Sequence, residues 1–277
     1  MTQRFERITI IGLGLLGGSV ALASKARGIA ATVVGITRRR ETLKAAVRDG
    51  AVDLAGSDIA EGVRGAELVV LGTPIYAMAE VLRKAAPHLA EGALVTDVGS
   101  VKGMLAETLP GILPAGATFV GAHPMAGSHH TGFSHATSDL FEGAVCIVAP
   151  TPGTPRAPVE RVAAFWSALG ARVLERDPAG HDAEVGWVSH VPHAIAFAFA
   201  YKLHRELRVP IGILNCSFSS TAIQAWTPRE GFAGGTDDYT RAIHQRILES
   251  DPTTPQHQQA WNAYYQSVQD ALGANQA

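Results

Sequence analysis

A glycine-rich segment near the start of the chain could bind a pyrophosphate. Gly12, Gly14 and Gly17 are spaced as Gly-x-Gly-x-x-Gly and follow an apolar run at residues 8–11. Glycines at this spacing let the backbone turn tightly and approach a phosphate closely, and the first amides of a following helix would bind its charge. The sequence therefore predicts a dinucleotide-binding turn. Its predicted cofactor-binding residues are Gly12, Leu13, Gly14, Leu15, Leu16 and Gly17.

The side chains about 20 residues beyond the last of these glycines should meet the adenosine ribose of the nucleotide. An NAD enzyme places a carboxylate there, whereas this chain has Thr37 followed by Arg38, Arg39 and Arg40. A hydroxyl and guanidinium groups would bind the 2′-phosphate of NADP by hydrogen bonds and by charge. We therefore predict NADP in preference to NAD. In the alternative interpretation, the arginines form the solvated first turn of a helix.

Two further segments bring hydroxyl groups to the ends of apolar runs. Thr73 and Pro74 follow residues 68–71, and Ser100 and Lys102 bring a hydroxyl and an amine to the start of a later helix. In a parallel sheet these positions lie at the carboxyl edge, where ligands of open α/β sheets bind. Thr73 and Pro74 are predicted to contact the cofactor, although Thr73 could equally be a helix cap.

A histidine that follows another apolar run could act as a general base. His123 comes after residues 118–120 and before Pro124, which restricts the backbone beside it. A neutral imidazole has a pKa of about 6.5 and accepts a proton near neutral pH. His123 is therefore the predicted catalytic base.

The elements that position these residues alternate between strands and helices. Apolar runs of strand length separated by helical patterns are typical of a parallel sheet covered by helices on both faces. The predicted fold is α/β, with a Rossmann-like doubly wound sheet at residues 1–176 and an all-helical region at residues 177–277. Prolines between residues 150 and 158 predict a loop before a helix at residues 159–169. The predicted strands are residues 8–11, 32–36, 68–71, 93–96, 118–120, 145–148 and 172–174.

Composition limits the classes of partner. The 23 Lys and Arg residues nearly balance the 25 Asp and Glu residues, so a net charge of −2 gives no reason to expect nucleic acid or an anionic membrane. Cys146 and Cys216 are too far apart for a Cys-x-x-Cys motif, and so few cysteines fit a reducing compartment. The longest late apolar stretch, residues 185–201, is too short for a comfortable membrane span. We expect a cytoplasmic protein that binds a small molecule.

Taken together, the motifs resemble the prephenate/arogenate dehydrogenase family of tyrosine biosynthesis. The matching segments are Gly-x-Gly-x-x-Gly-Gly-Ser at 12–19, Thr-Pro at 73–74, Asp-Val-Gly-Ser-Val-Lys at 97–102, Gly-Ala-His-Pro-Met-Ala-Gly at 121–127 and Ser-His-Val-Pro-His at 189–193. The resemblance implies a dinucleotide-binding domain followed by a helical domain that binds substrate and forms a homodimer. It also implies oxidative decarboxylation of a cyclohexadienol to a phenol, with transfer of a hydride to NAD(P).

The resemblance further implies roles for single residues. His123 matches the family's catalytic histidine, and Ser100 matches the serine that orients this histidine and the substrate hydroxyl. Arg241 resembles the family's carboxylate-binding arginine, and a guanidinium suits that task because it can form two parallel hydrogen bonds. His193 would reach toward the side chain of the substrate, with His190 in a structural role.

One departure from the family pattern affects the substrate. Members often continue His-Pro-Met-Ala-Gly with Thr-Glu, whereas this chain has Ser128 and His129, which are predicted to contact the substrate. Replacing an acid by an imidazole removes a negative charge near the pocket. That loss favours prephenate, because arogenate carries an ammonium group. Thr37 and Arg38, and the compact length, instead resemble arogenate-using members, so both substrates remain open.

Several histidines could be considered as metal ligands. His190 and His193 lie three residues apart on one face of a predicted helix, with Asp182 as a candidate partner of either. No cluster of carboxylates or cysteines completes such a site, and histidines satisfied by hydrogen bonds are commoner. A looser group of histidines at residues 129–135 has the same shortcoming. No metal site is predicted.

Two other classes of function share parts of this pattern. A β-hydroxyacid dehydrogenase or an imine reductase would use the same scaffold, but it lacks the Ser-His-x-Pro-His segment, and a substrate screen would distinguish it. A non-catalytic nucleotide-sensing module would bind NADP with no need for His123 or Arg241. Such a module would have no dehydrogenase activity, whereas in an enzyme the His123→Asn substitution should abolish turnover.

Overall fold

The computed structural model describes residues 4–127 and 130–186, and its first part is built on a six-stranded sheet. The strands are β1 (Phe5–Ile11), β2 (Ala30–Ile36), β3 (Leu54–Gly56), β4 (Leu68–Leu71), β5 (Leu94–Asp97) and β6 (Thr118–Phe119). The helices are α1 (Leu15–Ala26), α2 (Arg40–Arg48), α3 (Ile59–Val63), α4 (Ile75–Ala85) and α5 (Gly103–Thr108). All strand pairs are parallel, in the order β3-β2-β1-β4-β5-β6. This is the order of a doubly wound dinucleotide-binding sheet, so the predicted Rossmann-like fold is confirmed.

Each face of this sheet has its own apolar core. Ile8 and Ile10 of β1 belong to one buried cluster, whereas Ile11 belongs to the other. The residues of β4 divide alternately between the same two clusters. Because helices cover both faces, the central strands are apolar throughout, and this continuous pattern made them recognisable in the sequence.

The later strands form a second, separate sheet. Its strands are β7 (Gly121–Pro124), β8 (Val145–Ala149) and β9 (Arg172–Glu175), with α6 (Arg156–Ala168) between the last two. β7 is antiparallel to β8, and β8 is parallel to β9. The runs at residues 145–148 and 172–174 were predicted as strands but not as members of another sheet. Short apolar runs look alike whichever sheet they join, because their partners are distant in sequence.

Two local features differ from the predicted ones. α6 begins at Arg156 instead of residue 159, and Pro158 lies in its first turn. Proline is tolerated there because the first amides of a helix have no partner within it. β3 was not predicted, since it has three residues at the edge of the sheet and its Leu54 is half-exposed.

α7 (Pro178–Val185) begins just beyond the predicted domain boundary. Its first turn is capped by Asp177, whose carboxylate accepts a hydrogen bond from the amide of Gly180 at 2.9 Å. Among residues 4–127 and 130–186, no helix is long and apolar enough to cross a membrane. The predicted site residues that lie outside the described residues are Ser128, His129, His193 and Arg241.

Candidate active site

A cleft of about 1150 Å³ opens at the carboxyl edge of the main sheet. The segments that follow β1, β2, β4 and β5 line it. Gly17 is the exception among the predicted cofactor residues, because it is buried beneath the turn. The cleft therefore brings together residues that the sequence placed in five separate motifs. The predicted residues that line it are Gly12, Leu13, Gly14, Leu15, Leu16, Thr37, Arg38, Arg39, Thr73, Pro74, Ser100 and His123.

The geometry of the glycine-rich turn fits a dinucleotide. Gly12 has a φ of +103°, and a Cβ there would lie 2.6 Å from the carbonyl oxygen of Gly72. A Cβ on Gly17 would lie 1.9 Å from the carbonyl oxygen of Gly12, so only glycine lets α1 pack this close to the turn. A Cβ on Gly14 would meet no atom within 4 Å. Gly14 thus borders open space where a ligand backbone could pass.

The first turn of α1 is suited to an anion. The helix has 12 residues, Gly14 is its N-cap, and neither a capping side chain nor an acidic residue occupies its first turn. The first amides of a helix carry partial positive charge and need acceptors from outside the helix. Leu15 and Leu16 line the cleft at this point. A pyrophosphate in the cleft would supply the missing acceptors.

Gly14→Ala is expected to weaken nucleotide binding without unfolding the protein. The added methyl group meets no protein atom within 4 Å, but Gly14 lines the cleft, so the methyl group would take up space that a pyrophosphate there needs. We expect the Kd for NADP to rise at least about tenfold, measured by calorimetry. Gly111→Ala is the matched control, because its methyl group also meets no atom within 4 Å and Gly111 does not line the cleft. Equal affinity in the two variants would place the pyrophosphate elsewhere.

A positively charged group lies at the end of β2. Arg38 and Arg39 are exposed and line the cleft beside Thr37. Across the cleft, a hydrogen bond from Lys84 (2.6 Å) and its charge lower the pKa of Glu80, and attraction by Arg38 adds to this. Because the charge of Glu80 is balanced by Lys84, the positive charge of Arg38 and Arg39 is not neutralised by Glu80. This end of the cleft therefore suits a phosphate.

The hydroxyl of Thr73 belongs to the wall of the cleft. Pro74 is the N-cap of α4, and no side chain caps that helix, so the alternative role of Thr73 as a cap is wrong. The Thr73 hydroxyl is buried with no hydrogen-bond partner among the described residues. A buried hydroxyl without a partner is costly unless a ligand provides one. Its position favours the predicted contact with a cofactor.

His123 lies within β7, and not at the end of a strand of the main sheet as predicted. Only Val120 separates β6 from β7, so the histidine still reaches the cleft beyond the carboxyl edge. Its Nδ1 lies 2.9 Å from Nε2 of His181, and the two rings meet edge to face with centroids 5.1 Å apart. Ser100 lines the same cleft, so the predicted catalytic pair shares one site.

A chain of contacts extends behind His123 into α7. His181 is fully buried, and its Nδ1 lies 2.7 Å from a carboxylate oxygen of Asp182. The backbone amides of Lys102 and Gly103 donate to the same carboxylate at 2.7 and 2.8 Å. Asp182 therefore joins α7 to the start of α5.

A buried ion pair between Lys102 and Asp97 lies next to the cleft. Lys102 donates hydrogen bonds to Asp97 and, at 2.8 Å, to the carbonyl oxygen of Ala122. Asp97 also accepts hydrogen bonds from the amides of Gly99 (2.7 Å) and Ala122 (3.1 Å). Burial lowers the pKa of Lys102, and the attraction of Asp97 opposes that change. The amine that the sequence placed near a ligand instead holds the end of β5 to β7, the strand of His123.

The contact between His123 and His181 had no signal in the sequence. The two histidines are 58 positions apart, and Asp182 was considered only as a partner of later histidines, which lie outside the described residues. α5 and α7 pack together, and this tertiary contact places His181 behind the cleft. Local spacing carries no information about such a pair.

Within residues 4–127 and 130–186, no three side chains of His, Cys, Asp or Glu cluster closely enough to hold a metal ion. His130 and His135 instead stack, with ring centroids 4.4 Å apart and planes 12° from parallel.

Similarity to known sequences covers the sheet-forming part of the chain. The family profile described as "Prephenate dehydrogenase, nucleotide-binding domain" matches residues 20–175. The prephenate dehydrogenase of Bacillus subtilis (strain 168) is 34% identical over 207 residues, which are 74% of this chain and 56% of that protein. The chain spans 54% to 66% of the length of three curated relatives.

Similarity to solved structures extends further along the chain. The prephenate dehydrogenase of Aquifex aeolicus, in complex with hydroxyphenyl propionate and NAD+, is 27% identical with a TM-score of 0.70, covering 99% of this chain and 93% of that one. The arogenate dehydrogenase of Synechocystis is 27% identical with a TM-score of 0.65, covering 98% and 93%. Since the family profile matches more than half of the chain, the chain belongs to the prephenate dehydrogenase family.

Proposed function

We propose that the chain is an NAD(P)-dependent dehydrogenase that oxidises and decarboxylates prephenate, arogenate or both. The observation that carries this proposal is that His123 and Ser100 share one cleft with the glycine-rich turn. A nucleotide held by its phosphates at the turn would extend along the carboxyl edge toward them. The names of the relatives in Bacillus subtilis and Synechocystis support both substrates.

The reaction requires one base and one hydride acceptor. The C4 hydroxyl of the substrate ring loses its proton to the base while C4 loses a hydride, which gives a ring ketone. The bond between the ring and its carboxylate then breaks, carbon dioxide leaves, and the bonding electrons enter the ring. The ketone oxygen takes up a proton, and the ring becomes a phenol. A bound nicotinamide supplies the hydride acceptor.

The residues of this chain would supply the base and the binding groups. His123 takes the hydroxyl proton, because a neutral imidazole is a suitable base near neutral pH. Ser100 orients this histidine and the substrate hydroxyl. The remaining proposed contacts lie outside the described residues. Arg241 would bind a substrate carboxylate, and His193, Ser128 and His129 would contact the rest of the substrate.

The decisive experiment tests the four combinations of substrate and cofactor. The purified chain is incubated with prephenate or arogenate and with NAD or NADP, while the absorbance of the reduced cofactor is followed. We expect reduction with at least one combination, together with release of 4-hydroxyphenylpyruvate or tyrosine. No reduction with any of the four would refute the proposed function. Reduction with a β-hydroxyacid or an imine alone would assign the chain to another reaction on this scaffold.

We further propose that NADP is preferred over NAD. Thr37, Arg38 and Arg39 support this preference, because they line the cleft with a hydroxyl and two cations that could bind a 2′-phosphate. Arg38→Ala is expected to raise the KM for NADP about 10- to 100-fold, since a hydrogen bond to a charged group contributes about 1.5–3 kcal/mol. The KM for NAD should stay nearly constant.

Arg40→Ala is the control for the preference, because Arg40 is also exposed but does not line the cleft. It should leave both Michaelis constants nearly unchanged. A wild-type preference for NAD, or an equal change for both cofactors in Arg38→Ala, would contradict the proposed role of the arginines.

We also propose that the chain forms a homodimer in the cytoplasm. The region after position 181 is rich in apolar residues, which supports association of two copies. Cys146 is the single cysteine among the described residues. It is buried and forms no disulfide there, which fits a reducing compartment.

A further inference from the structure

We propose that His181 is a positioning residue that fixes the tautomer of His123, and that Asp182 holds His181 in place. The inference rests on the proposed function, in which His123 takes the substrate proton. It follows from the order of the contacts, His123 to His181 to Asp182, because each hydrogen bond in the chain determines which atom carries the next proton.

The first step concerns the charge of Asp182. Partial burial raises its pKa, but hydrogen bonds from the amides of Lys102 and Gly103 and from His181 hold the pKa below its usual value. Asp182 is therefore a carboxylate near neutral pH. A carboxylate can only accept hydrogen bonds.

The second step places the proton of His181. Its Nδ1 lies 2.7 Å from the Asp182 carboxylate, a distance that requires a proton on Nδ1. Burial lowers the pKa of His181, and although Asp182 opposes this change, Lys102 adds to it. His181 is therefore neutral, and its Nε2 is an acceptor.

The third step places the proton of His123. Because Nε2 of His181 accepts, the 2.9 Å contact requires a proton on Nδ1 of His123. A neutral His123 with its proton on Nδ1 has a proton-accepting Nε2. This is the atom a base in the cleft needs, so His181 holds His123 in the tautomer that can take a proton from a hydroxyl.

Other titratable groups surround this pair from several elements. Asp97 ends β5, Lys102 precedes α5, Cys146 lies in β8 and Asp182 lies in α7. Asp97 and Lys102 form an ion pair, and burial raises the pKa of the Cys146 thiol well above its usual value. Of these groups, the Cys146 thiol stays neutral because its pKa is raised, and Asp182 stays ionised because its pKa is lowered. The acid limb of activity should therefore report His123.

Two substitutions of His181 separate positioning from simple packing. The amide of glutamine reaches the place of Nε2, so His181→Gln keeps an acceptor for His123. The amide of asparagine reaches the place of Nδ1, so His181→Asn keeps the donor to Asp182 and loses the acceptor. We expect kcat to fall about 10²–10³-fold in His181→Asn and less than about tenfold in His181→Gln, with the Kd for the nucleotide unchanged in both.

The pH profile of kcat/KM provides a readout that a packing role would not move. Nε2 of His181 accepts a stronger hydrogen bond from the protonated imidazolium of His123 than from the neutral ring, because the donor is then charged. In His181→Asn the acid limb should move to lower pH, whereas in His181→Gln it should stay near that of the wild type. Equal losses in the two variants with an unmoved acid limb would overturn the proposal.

Nuclear magnetic resonance tests the tautomer without activity. Long-range proton–nitrogen spectra of the protein labelled with ¹⁵N-histidine, assigned with His123→Asn and His181→Asn, should show a proton on Nδ1 of both rings. A proton on Nε2 of His123 would overturn the proposal even in an active enzyme. If the wild type instead oxidises neither substrate, the proposed function fails while the spectra still decide the tautomer.

Discussion

His123→Asn is expected to lower kcat by about 10²–10⁴-fold, the usual contribution of a general base. Asparagine keeps the approximate volume of the ring but cannot take the hydroxyl proton. His123 lies in the cleft and is only 8% exposed, and other residues form the glycine-rich turn that would hold the phosphates of the nucleotide. The affinity for the nucleotide should therefore stay at the wild-type level. Steady-state kinetics and calorimetry on the same preparation measure the two quantities.

His88→Asn is the control for this prediction, because His88 is a histidine that does not line the cleft. It should retain the wild-type kcat. The acid limb in the wild-type pH profile of kcat/KM should be absent from the residual activity of His123→Asn, since that limb reports the ionisation of the base. Wild-type turnover in His123→Asn would remove this residue from the mechanism.

Lys102→Met is expected to lower the free energy of unfolding by about 3–5 kcal/mol, as is typical when one partner of a buried ion pair is removed. Lys102 is 1% exposed and Asp97 is 0% exposed, so the remaining carboxylate would stay in the interior without a cation. Two amide donors partly stabilise it. Urea titration followed by circular dichroism measures the change.

Lys84→Met provides the matched control on the surface. Lys84 pairs with Glu80 in solvent, and such pairs contribute only about 0–1 kcal/mol. Asp97→Asn combined with Lys102→Met should restore part of the lost stability, because the neutral amide keeps an acceptor and leaves no buried charge. If Lys102→Met is no less stable than Lys84→Met, the buried pair does not stabilise the fold. Since Lys102 also binds β7, we expect reduced kcat in the protein that remains folded.

The features of the fold that depend on residues close in sequence were predicted from the sequence. The strands between residues 8 and 71 were predicted from apolar runs, apart from the short edge strand β3. The glycine-rich turn was predicted because its need for glycine arises from residues that are close in sequence. A Cβ on Gly17, for example, would clash with the carbonyl oxygen of Gly12. Residues that follow parallel strands lie at one edge of the sheet, and Ser100, which follows β5, lines the cleft there together with His123 of β7.

Only the tertiary structure determined the surroundings of the proposed base. His123 belongs to a second sheet, Lys102 turns away to Asp97, and α7 brings His181 and Asp182 behind the cleft. Each of these contacts joins residues whose partners depend on how whole elements pack. A periodic pattern of apolar residues does not indicate which elements will pack together. The chain by itself specifies which elements form and which residues end them. The packing of those elements determines the hydrogen-bond partners of His123 and His181, and in our proposal these partners determine which ring nitrogen carries the proton.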